Sequence, residues 1–201
     1  MDNIQETIKY FRRNIYDARC SYEAWKMIFY ARSKNVVGEE MSKLYADIQN
    51  YHTGFFVIAE KAFLTSFVIL ICHVFDKRDD SMTLIRIDEE KYDKFYSNNQ
   101  EMINDIKKIR HKIFAHKEKN VNNLEIPSPE RLDTFFNNIQ DFYNEISSEK
   151  DNSSTWFDHD HLKHEIESLY KNLHRGEDAR IEAINVEYFW RHNENIISKK
   201  I

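Results

Sequence analysis

Residues 4–29 read IQETIKYFRRNIYDARCSYEAWKMIF, and this stretch decides the fold class. Its apolar residues recur at alternating steps of four and three, at Ile4, Ile8, Phe11, Ile15, Ala18, Tyr22, Trp25 and Phe29. Such unbroken spacing predicts a helix that packs lengthwise against another helix. Because four heptads can pair inside one domain, we favour a core-facing helix of a bundle over an isolated coiled coil.

The composition of the whole chain supports an all-α fold. Three Gly and two Pro among 201 residues leave little material for the tight turns of a hairpin-rich β-protein. The length suits one domain with a genuine core and a small appendage. We expect Cys20 and Cys72 to be reduced core thiols. The first residues lack the features of a signal peptide, so we expect a cytoplasmic protein.

The middle of the chain predicts a long apolar helix. We expect it to run from about Glu39 to Phe75, with neighbours on every side of its second half because that half is apolar all round. Its clean apolar core of about 14 residues is shorter than the roughly 20 that span a bilayer. We therefore predict a buried central helix and no membrane partner. Shorter helices are predicted after Ser81, over Asp88 to Asn99, and from Asn99 to Lys117.

The last third of the chain has clear boundary signals. Ser128-Pro129-Glu130 combines a cap residue, a Pro at the first helical position and an acidic first turn. Ser147 to Thr155 reads as a linker, and Gly176 as the stop of the following helix. We therefore predict a helical bundle domain over residues 1–149, which carries the basic stretch described next. Residues 150–201 are predicted to be a C-terminal helix and tail, packed on the bundle or at a dimer interface. The whole is an antiparallel bundle of about five to six helices with a helical extension.

The basic stretch, residues 105–119, reads DIKKIRHKIFAHKEK. The chain has a net charge of −5, whereas residues 107–119 carry +5 with neutral His, so the remainder carries about −10. A neutral His accepts the proton of a ribose 2′-OH near neutral pH. A guanidinium holds a phosphate through two hydrogen bonds, and surrounding lysines attract the RNA backbone. These groups suit RNA cleavage without a metal, and the stretch offers no acidic cluster to hold one.

The spacing of this stretch leaves a second interpretation open. On an ideal helix Arg110 and His116 stand about 120° apart and about 9 Å along the axis, so they do not share a face. Lys112 and His116 do share one. The alternative is a solvated Arg and a His that interacts with the carbonyl end of its helix, which the helix dipole favours.

Residues 110–116, RHKIFAH, followed by KEK, resemble the Arg-x4-6-His motif of the HEPN superfamily. They are closest to the branch found among bacterial abortive-infection proteins. The apolar helix that ends at Phe75-Asp76, with Ser81 and Leu84 beyond it, is similar to that branch as well. The resemblance covers roughly residues 55–146. It implies an all-α bundle, a homodimer that brings two motifs into one cleft, and metal-independent RNA cleavage.

The same resemblance implies roles for individual residues. Arg110 and His116 take the catalytic roles, with His116 as general base or acid and Arg110 as the clamp on the phosphate. We assign supporting and RNA-binding roles to His111, Lys112, Lys108 and Lys117. Glu118 occupies the position of a Tyr that is modified in relatives paired with a nucleotidyltransferase antitoxin, which argues against that mode of control here.

The expected partners are RNA and a second copy of the chain, with an antitoxin or regulatory protein as a further candidate. We expect no cofactor and no metal. The alternative function is a non-catalytic HEPN-like module for dimerisation, nucleotide binding or partner binding.

Two other groups of residues were weighed as sites. His159, His161 and His164, with neighbouring Asp residues, suggest a metal site, but we favour a solvated helix start because zinc needs three or four converging ligands. Residues 188–190, Tyr-Phe-Trp, form an aromatic tail that docks a partner or the other subunit if it is exposed.

Overall fold

A computed structural model of the chain describes residues 4–78, 84–112 and 125–197, with backbone alone for residue 186 and residues 188–197. Within these ranges the chain is helical and contains no strand, so the predicted all-α fold is confirmed. The elements are α1 (Ile4–Phe29), α2 (Lys34–Val37), α3 (Glu39–Tyr51), α4 (Thr53–Val74), a 3-10 turn (Leu84–Arg86), α5 (Glu89–Asn98), α6 (Gln100–Arg110), α7 (Pro129–Asp151) and α8 (Asp160–Ile197).

Helix α1 is the axis of the bundle, and it packs against α4, α7 and α8. The inner members of its apolar repeat are buried, as predicted, while the outermost two, Ile4 and Phe29, are each 46% exposed. Tyr22 stacks on Phe136 of α7 with ring centroids 5.1 Å apart. The Tyr22 hydroxyl donates to the carbonyl of Pro129 at 3.1 Å, which fixes the first turn of α7 beside the middle of α1.

The predicted single helix from Glu39 to Phe75 is wrong, because the chain breaks at His52. That residue has φ −118° and ψ 37°, which ends α3 and begins α4 at a corner. Side-chain contacts hold this corner in place: Thr53 donates its hydroxyl to the carbonyl of Gln49 at 3.0 Å. Gln49 also donates to the carbonyl of Ile28 at 2.9 Å, so the corner is tied to the end of α1.

The prediction that neighbours surround α4 holds only for its C-terminal half. Phe67, Val68, Ile71, Cys72 and Val74 are buried there. Near the N-terminus, by contrast, Phe55 and Val57 are each 60% exposed and Ile58 is 71% exposed. By length and composition α4 is the single helix in the described ranges that meets the test for a bilayer span. One third of its most apolar window is buried in the bundle.

Helix α7 begins as predicted, with Pro129 in the first turn and the Ser128 hydroxyl accepting from the backbone N–H of Arg131. It runs further than predicted, through the first half of the expected linker, and ends where Asn152 adopts a left-handed conformation with φ 49°. The next residues turn back on the helix, because the Ser147 hydroxyl donates to the carbonyl of Ser153 at 2.9 Å. The linker predicted over Ser147 to Thr155 is therefore wrong for residues 147–151.

Helix α8 passes through Gly176 without interruption, so the predicted stop at that residue is wrong. The helix is held on the bundle by Tyr170, which is fully buried and stacks against Tyr45 at 4.0 Å and Phe56 at 5.1 Å. Its hydroxyl accepts from the Gln49 side chain at 3.0 Å. The aromatic tail at residues 188–190 lies in this helix, and its side chains are outside the described part of the structure.

The segment before the basic stretch is partly as predicted. Asp88 caps α5 by accepting from the backbone N–H of Lys91. One face of α5 is buried through Tyr92 and Phe95. Ser81, predicted to begin a short helix, lies outside the described residues, and residues 84–86 form the 3-10 turn.

Candidate functional site

Helix α6 carries the described part of the basic stretch. Met102, Ile103, Ile106 and Ile109 are buried against the core, and they orient the helix. The predicted helix from Asn99 to Lys117 is confirmed over Gln100–Arg110, and His111 and Lys112 continue it as a π-type turn. Residues 113–124 lie outside the described part of the structure, and they include His116 and Lys117.

The basic residues of α6 divide between two faces. Lys107 and Arg110 are three residues apart and lie toward the C-terminal end of α4, where both charges act on the Cys72 thiol. Lys108 and Lys112 are four residues apart and line a cavity against the start of α7. The division follows from helix geometry, since consecutive residues point about 100° apart.

Arg110 is exposed at the last turn of α6. Its guanidinium is within hydrogen-bonding reach of the Cys72 thiol and its charge acts on Asp76, but no carboxylate of the described residues forms an ion pair with it. Burial raises the pKa of the Cys72 thiol to about 11, although the charges of Arg110 and Lys107 oppose the shift. The thiol is therefore protonated at neutral pH, and it serves Arg110 as a neutral neighbour rather than as a counter-ion.

Asp76 follows α4 and sits close to Arg110. Its carboxylate accepts from the backbone N–H of Arg78 at 3.1 Å and pairs with the Arg78 guanidinium at 2.8 Å. Burial by itself would raise the pKa of Asp76, but the hydrogen bonds from Arg78 and the charges of Arg78 and Arg110 lower it overall. Asp76 thus contributes a stable negative charge behind the basic side chains.

Tyr96 of α5 lies between two lysines on the same face. The Lys107 ammonium donates to the Tyr96 hydroxyl at 3.2 Å and stands 5.1 Å from the centroid of its ring. The Lys77 ammonium is 4.6 Å from that centroid and also pairs with Asp93 at 3.4 Å. We call Lys77, Tyr96 and Lys107 the Tyr96 cluster.

The second face of α6 borders a cavity of about 360 Å³ beside the N-terminus of α7. The cationic side chains that line it are Lys108, Lys112 and Arg131. Asp105 offsets part of this charge, because it pairs with Lys108 at 3.0 Å and with Arg131 at 3.8 Å. The cavity is therefore lined by charges of both signs.

Four of the predicted site residues lie in the described part of the structure. The structure describes Arg110, His111, Lys112 and Lys108 together at the end of α6, all exposed, with Arg110 on a different face from Lys108. The predicted catalytic partner His116 and the predicted RNA-binding Lys117 lie outside the described residues, so their positions stay predictions. Tyr96 and Lys77 were not predicted as site residues. Tyr96 forms an aromatic pair with Tyr92, four residues earlier, and this spacing is also that of ordinary core residues. Lys77 has no signal of its own in the sequence.

The histidines considered as metal ligands have other contacts. His159 accepts at its Nε2 atom from the guanidinium of Arg19 at 3.0 Å, and its Nδ1 atom is 3.1 Å from the carbonyl of Phe157. His161 lies 3.5 Å from the hydroxyl of Tyr16. Among the described residues no three His, Cys, Asp or Glu side chains come together as a metal site would require.

The model of one protein family, HEPN_AbiU2 with the description AbiU2, matches residues 1–172. The chain belongs to the HEPN family, abortive-infection type. No curated protein matches the chain. No solved structure matches it.

The match to the abortive-infection HEPN family extends well beyond the segment that first suggested it. It includes the repeat of α1, the whole of α4, the Arg110–His116 segment and the part of α8 that contains Tyr170. The matched residues therefore include α1 to α7 and the part of α8 up to residue 172.

Proposed function

We propose that this HEPN protein is a metal-independent endoribonuclease of the abortive-infection or toxin type, acting in the cytoplasm. The observation that carries the proposal is the exposed guanidinium of Arg110, which forms no direct ion pair with a carboxylate of the described residues, since the nearby Asp76 pairs with Arg78. It stands at the head of the Arg-x5-His segment, on the same side of α6 as Lys107. A guanidinium that is outside an ion pair is better placed to bind a phosphodiester than one that is held in a structural ion pair.

In the proposed reaction the ribose 2′-oxygen attacks the adjacent phosphorus, and the bond from phosphorus to the 5′-oxygen breaks. His116 takes the proton of the 2′-OH, and a protonated His supplies the proton that the departing 5′-oxygen needs. The products are a 2′,3′-cyclic phosphate and a free 5′-OH. Arg110 stabilises the extra negative charge on the phosphate oxygens as the transition state forms. His111, Lys112, Lys108 and Lys117 support binding of the RNA backbone.

The composite site of the proposal needs a second copy of the chain. Support comes from α4, whose Phe55, Val57 and Ile58 are more than half exposed. Exposed apolar residues grouped on one element mark interaction surfaces. From this patch the outward side of α4 continues through half-buried Thr65 and Ile69 to the end of the helix that lies beside Arg110. We propose that α4 of a second copy covers this surface.

The test of the nuclease is cleavage of single-stranded RNA by purified protein in the presence of EDTA. We expect cleavage to survive chelation and to fall by at least two orders of magnitude in His116→Ala and in Arg110→Ala. The matched controls are His174→Ala on α8 and Arg13→Ala on the outer side of α1, which should cleave like the parent. The cyclic phosphate and the 5′-OH should both be detectable on the products.

Two outcomes would contradict the nuclease. One is the absence of cleavage under any condition by protein that is folded and dimeric, which would favour the non-catalytic module for dimerisation or binding. The other is cleavage that persists in both Arg110→Ala and His116→Ala, which would place the activity elsewhere or in a contaminant.

A further inference from the structure

Within the Tyr96 cluster, Lys107 differs from Lys108 and Lys26 in the group that holds its ammonium. Lys108 pairs with Asp105 at 3.0 Å, and Lys26 pairs with Glu23 at 2.9 Å. Lys107 instead donates to the Tyr96 hydroxyl, and no carboxylate of the described residues lies within ion-pairing distance of it. An aromatic ring orients an ammonium through its π face and through its hydroxyl, but it does not cancel the charge.

The Tyr96 cluster lies next to Arg110. Lys107 and Arg110 are one turn apart on α6, about 4.5 Å along the axis, and both act on the same buried thiol of Cys72. Lys77 extends the positive charge beyond Lys107 to the far side of the ring.

Of the described carboxylates, Asp76 lies near Arg110 and Asp93 lies beside Lys77. Asp76 is occupied by Arg78, and Asp93 pairs with Lys77 at 3.4 Å, where both side chains are about half exposed. An exposed pair of this kind contributes little energy, so Lys77 can exchange Asp93 for a phosphate at small cost. Among the described residues, neither Lys107 nor Arg110 has a carboxylate partner that it would have to give up.

We propose that Lys107 and Lys77, oriented by the ring of Tyr96, form a binding subsite for the backbone phosphate next to the one that Arg110 holds. The ligand class is single-stranded RNA, which the subsite binds through charge and without reading the base. This inference rests on the proposed function and deepens it, because it gives the direction in which the RNA leaves Arg110, toward α5 and the end of α4.

The experiment measures binding of a fluorescently labelled 12-nucleotide single-stranded RNA by the full chain carrying His116→Ala, which prevents cleavage during the measurement. Affinity is measured from about 50 to 300 mM NaCl, because each phosphate contact adds about 0.7 to the slope of log affinity against log salt concentration. We expect Lys107→Gln and Lys77→Gln each to weaken binding about three- to tenfold at low salt and to reduce the slope by about 0.7. Tyr96→Phe keeps the ring and removes the hydroxyl, and we expect a smaller loss.

The matched control is Lys94→Gln, since Lys94 is exposed on α5 only two residues from Tyr96. It should retain the affinity and the salt slope, and thermal unfolding should show that all the variants fold. Parent-like affinity and slope in Lys107→Gln and Lys77→Gln would overturn the subsite, and so would an equal loss in Lys94→Gln.

The outcomes separate the subsite from the nuclease. Suppose that the chain that keeps His116 cleaves RNA, and that Lys107→Gln and Lys77→Gln bind RNA as well as the His116→Ala chain does. The nuclease then stands and the subsite is overturned. If nothing cleaves but the cluster variants lose binding as described, the subsite stands and the nuclease is overturned. Failure of the His116→Ala chain to bind this RNA at any salt concentration overturns the subsite. Cleavage by the chain that keeps His116 then decides the nuclease separately.

Discussion

At the scale of single residues, a network of ion pairs joins α1 to α7. Glu23 lies between two cations on α1, with Arg19 at 2.8 Å and Lys26 at 2.9 Å, and its side chain is 8% exposed. Asp133 of α7 faces the same two cations at 3.3 and 3.2 Å. The Arg19 guanidinium also lies 5.1 Å from the ring centroid of Phe136. These contacts tie α1 to α7 through charges that are largely buried on α1, whereas the Asp133 side chain on α7 is 37% exposed.

We expect Glu23→Gln to lower the free energy of unfolding by about 3 kcal/mol, because it leaves two largely buried cations with one carboxylate between them. Urea denaturation at neutral pH measures the change. The matched control is Glu165→Gln on the exposed side of α8, which should change stability by less than about 0.5 kcal/mol. Equal losses in the two variants would mean that the buried network contributes no more than an exposed carboxylate.

Asp76 gives a pH-dependent prediction. Its pKa is lowered in the folded protein, chiefly by hydrogen bonds from Arg78 that outweigh the effect of burial. A lowered folded pKa contributes stability above the pKa of the unfolded chain, and this is lost as pH falls through the folded value. We expect Asp76→Asn to unfold at lower urea concentration than the parent at pH 7, and the difference to shrink between about pH 5 and pH 2. A difference that stays constant or grows toward acid pH would contradict this account.

At the scale of elements, two glycines illustrate why a residue type does not fix a helix end. Gly38 has φ +83° between α2 and α3, a conformation that L side chains rarely adopt. Gly176 has no such angle, it lies inside α8, and a Cβ there would meet nothing within 4 Å. The packing of Tyr170 six residues earlier anchors α8 on α3, so the helix continues past a residue that favours termination.

These two positions should respond in opposite directions to the same substitution. We expect Gly176→Ala to raise the free energy of unfolding by about 0.5–1 kcal/mol, because Ala restricts the unfolded chain and fits a helix. Gly38→Ala should lower it by about 1 kcal/mol or more, because its backbone angle strains an L residue. Thermal denaturation of the two variants measures both changes. A stability loss in Gly176→Ala would mean that α8 ends near that residue.

At the scale of the whole molecule, the bundle leaves one face of its most apolar helix uncovered. The C-terminal half of α4 is buried against α1 and α6, while the half that follows the corner at His52 buries Phe56 and leaves Phe55, Val57 and Ile58 exposed. A soluble domain gains stability when such a surface is covered. In the proposed dimer the covering element is the same helix of a second copy.

We expect the parent protein to be a dimer by light scattering and Ile58→Glu to be a monomer, because Ile58 is 71% exposed and a carboxylate there would be buried on association. The control is Val36→Glu, at a 46% exposed residue of α2, which should remain dimeric. An Ile58→Glu variant with the mass of the parent would remove α4 from the interface. A monomeric parent that co-sediments with phosphatidylcholine vesicles would assign the patch to a lipid surface.

The sequence predicted which segment carries the candidate site, but it did not predict how the basic residues of that segment divide between two faces. The charge of residues 107–119 and the exposure of Arg110 follow from local spacing on a helix whose apolar stripe faces inward. Lys107 and Lys108 are adjacent and chemically identical, yet one faces Tyr96 and the other Asp105. Only the packing of α5 against α6 decides which lysine keeps an uncompensated charge.

The sequence by itself determined that the chain is helical, which side of α1 faces the core, where α7 begins, and which segment carries the candidate chemistry. These follow from contacts between residues three or four apart, which a linear pattern displays directly. The tertiary structure alone decided the corner at His52, the continuation of α8 past Gly176, the exposed half of α4 and the Tyr96 cluster. Each of these depends on residues distant in the chain that meet only after folding, and side-chain periodicity contains no information about such meetings.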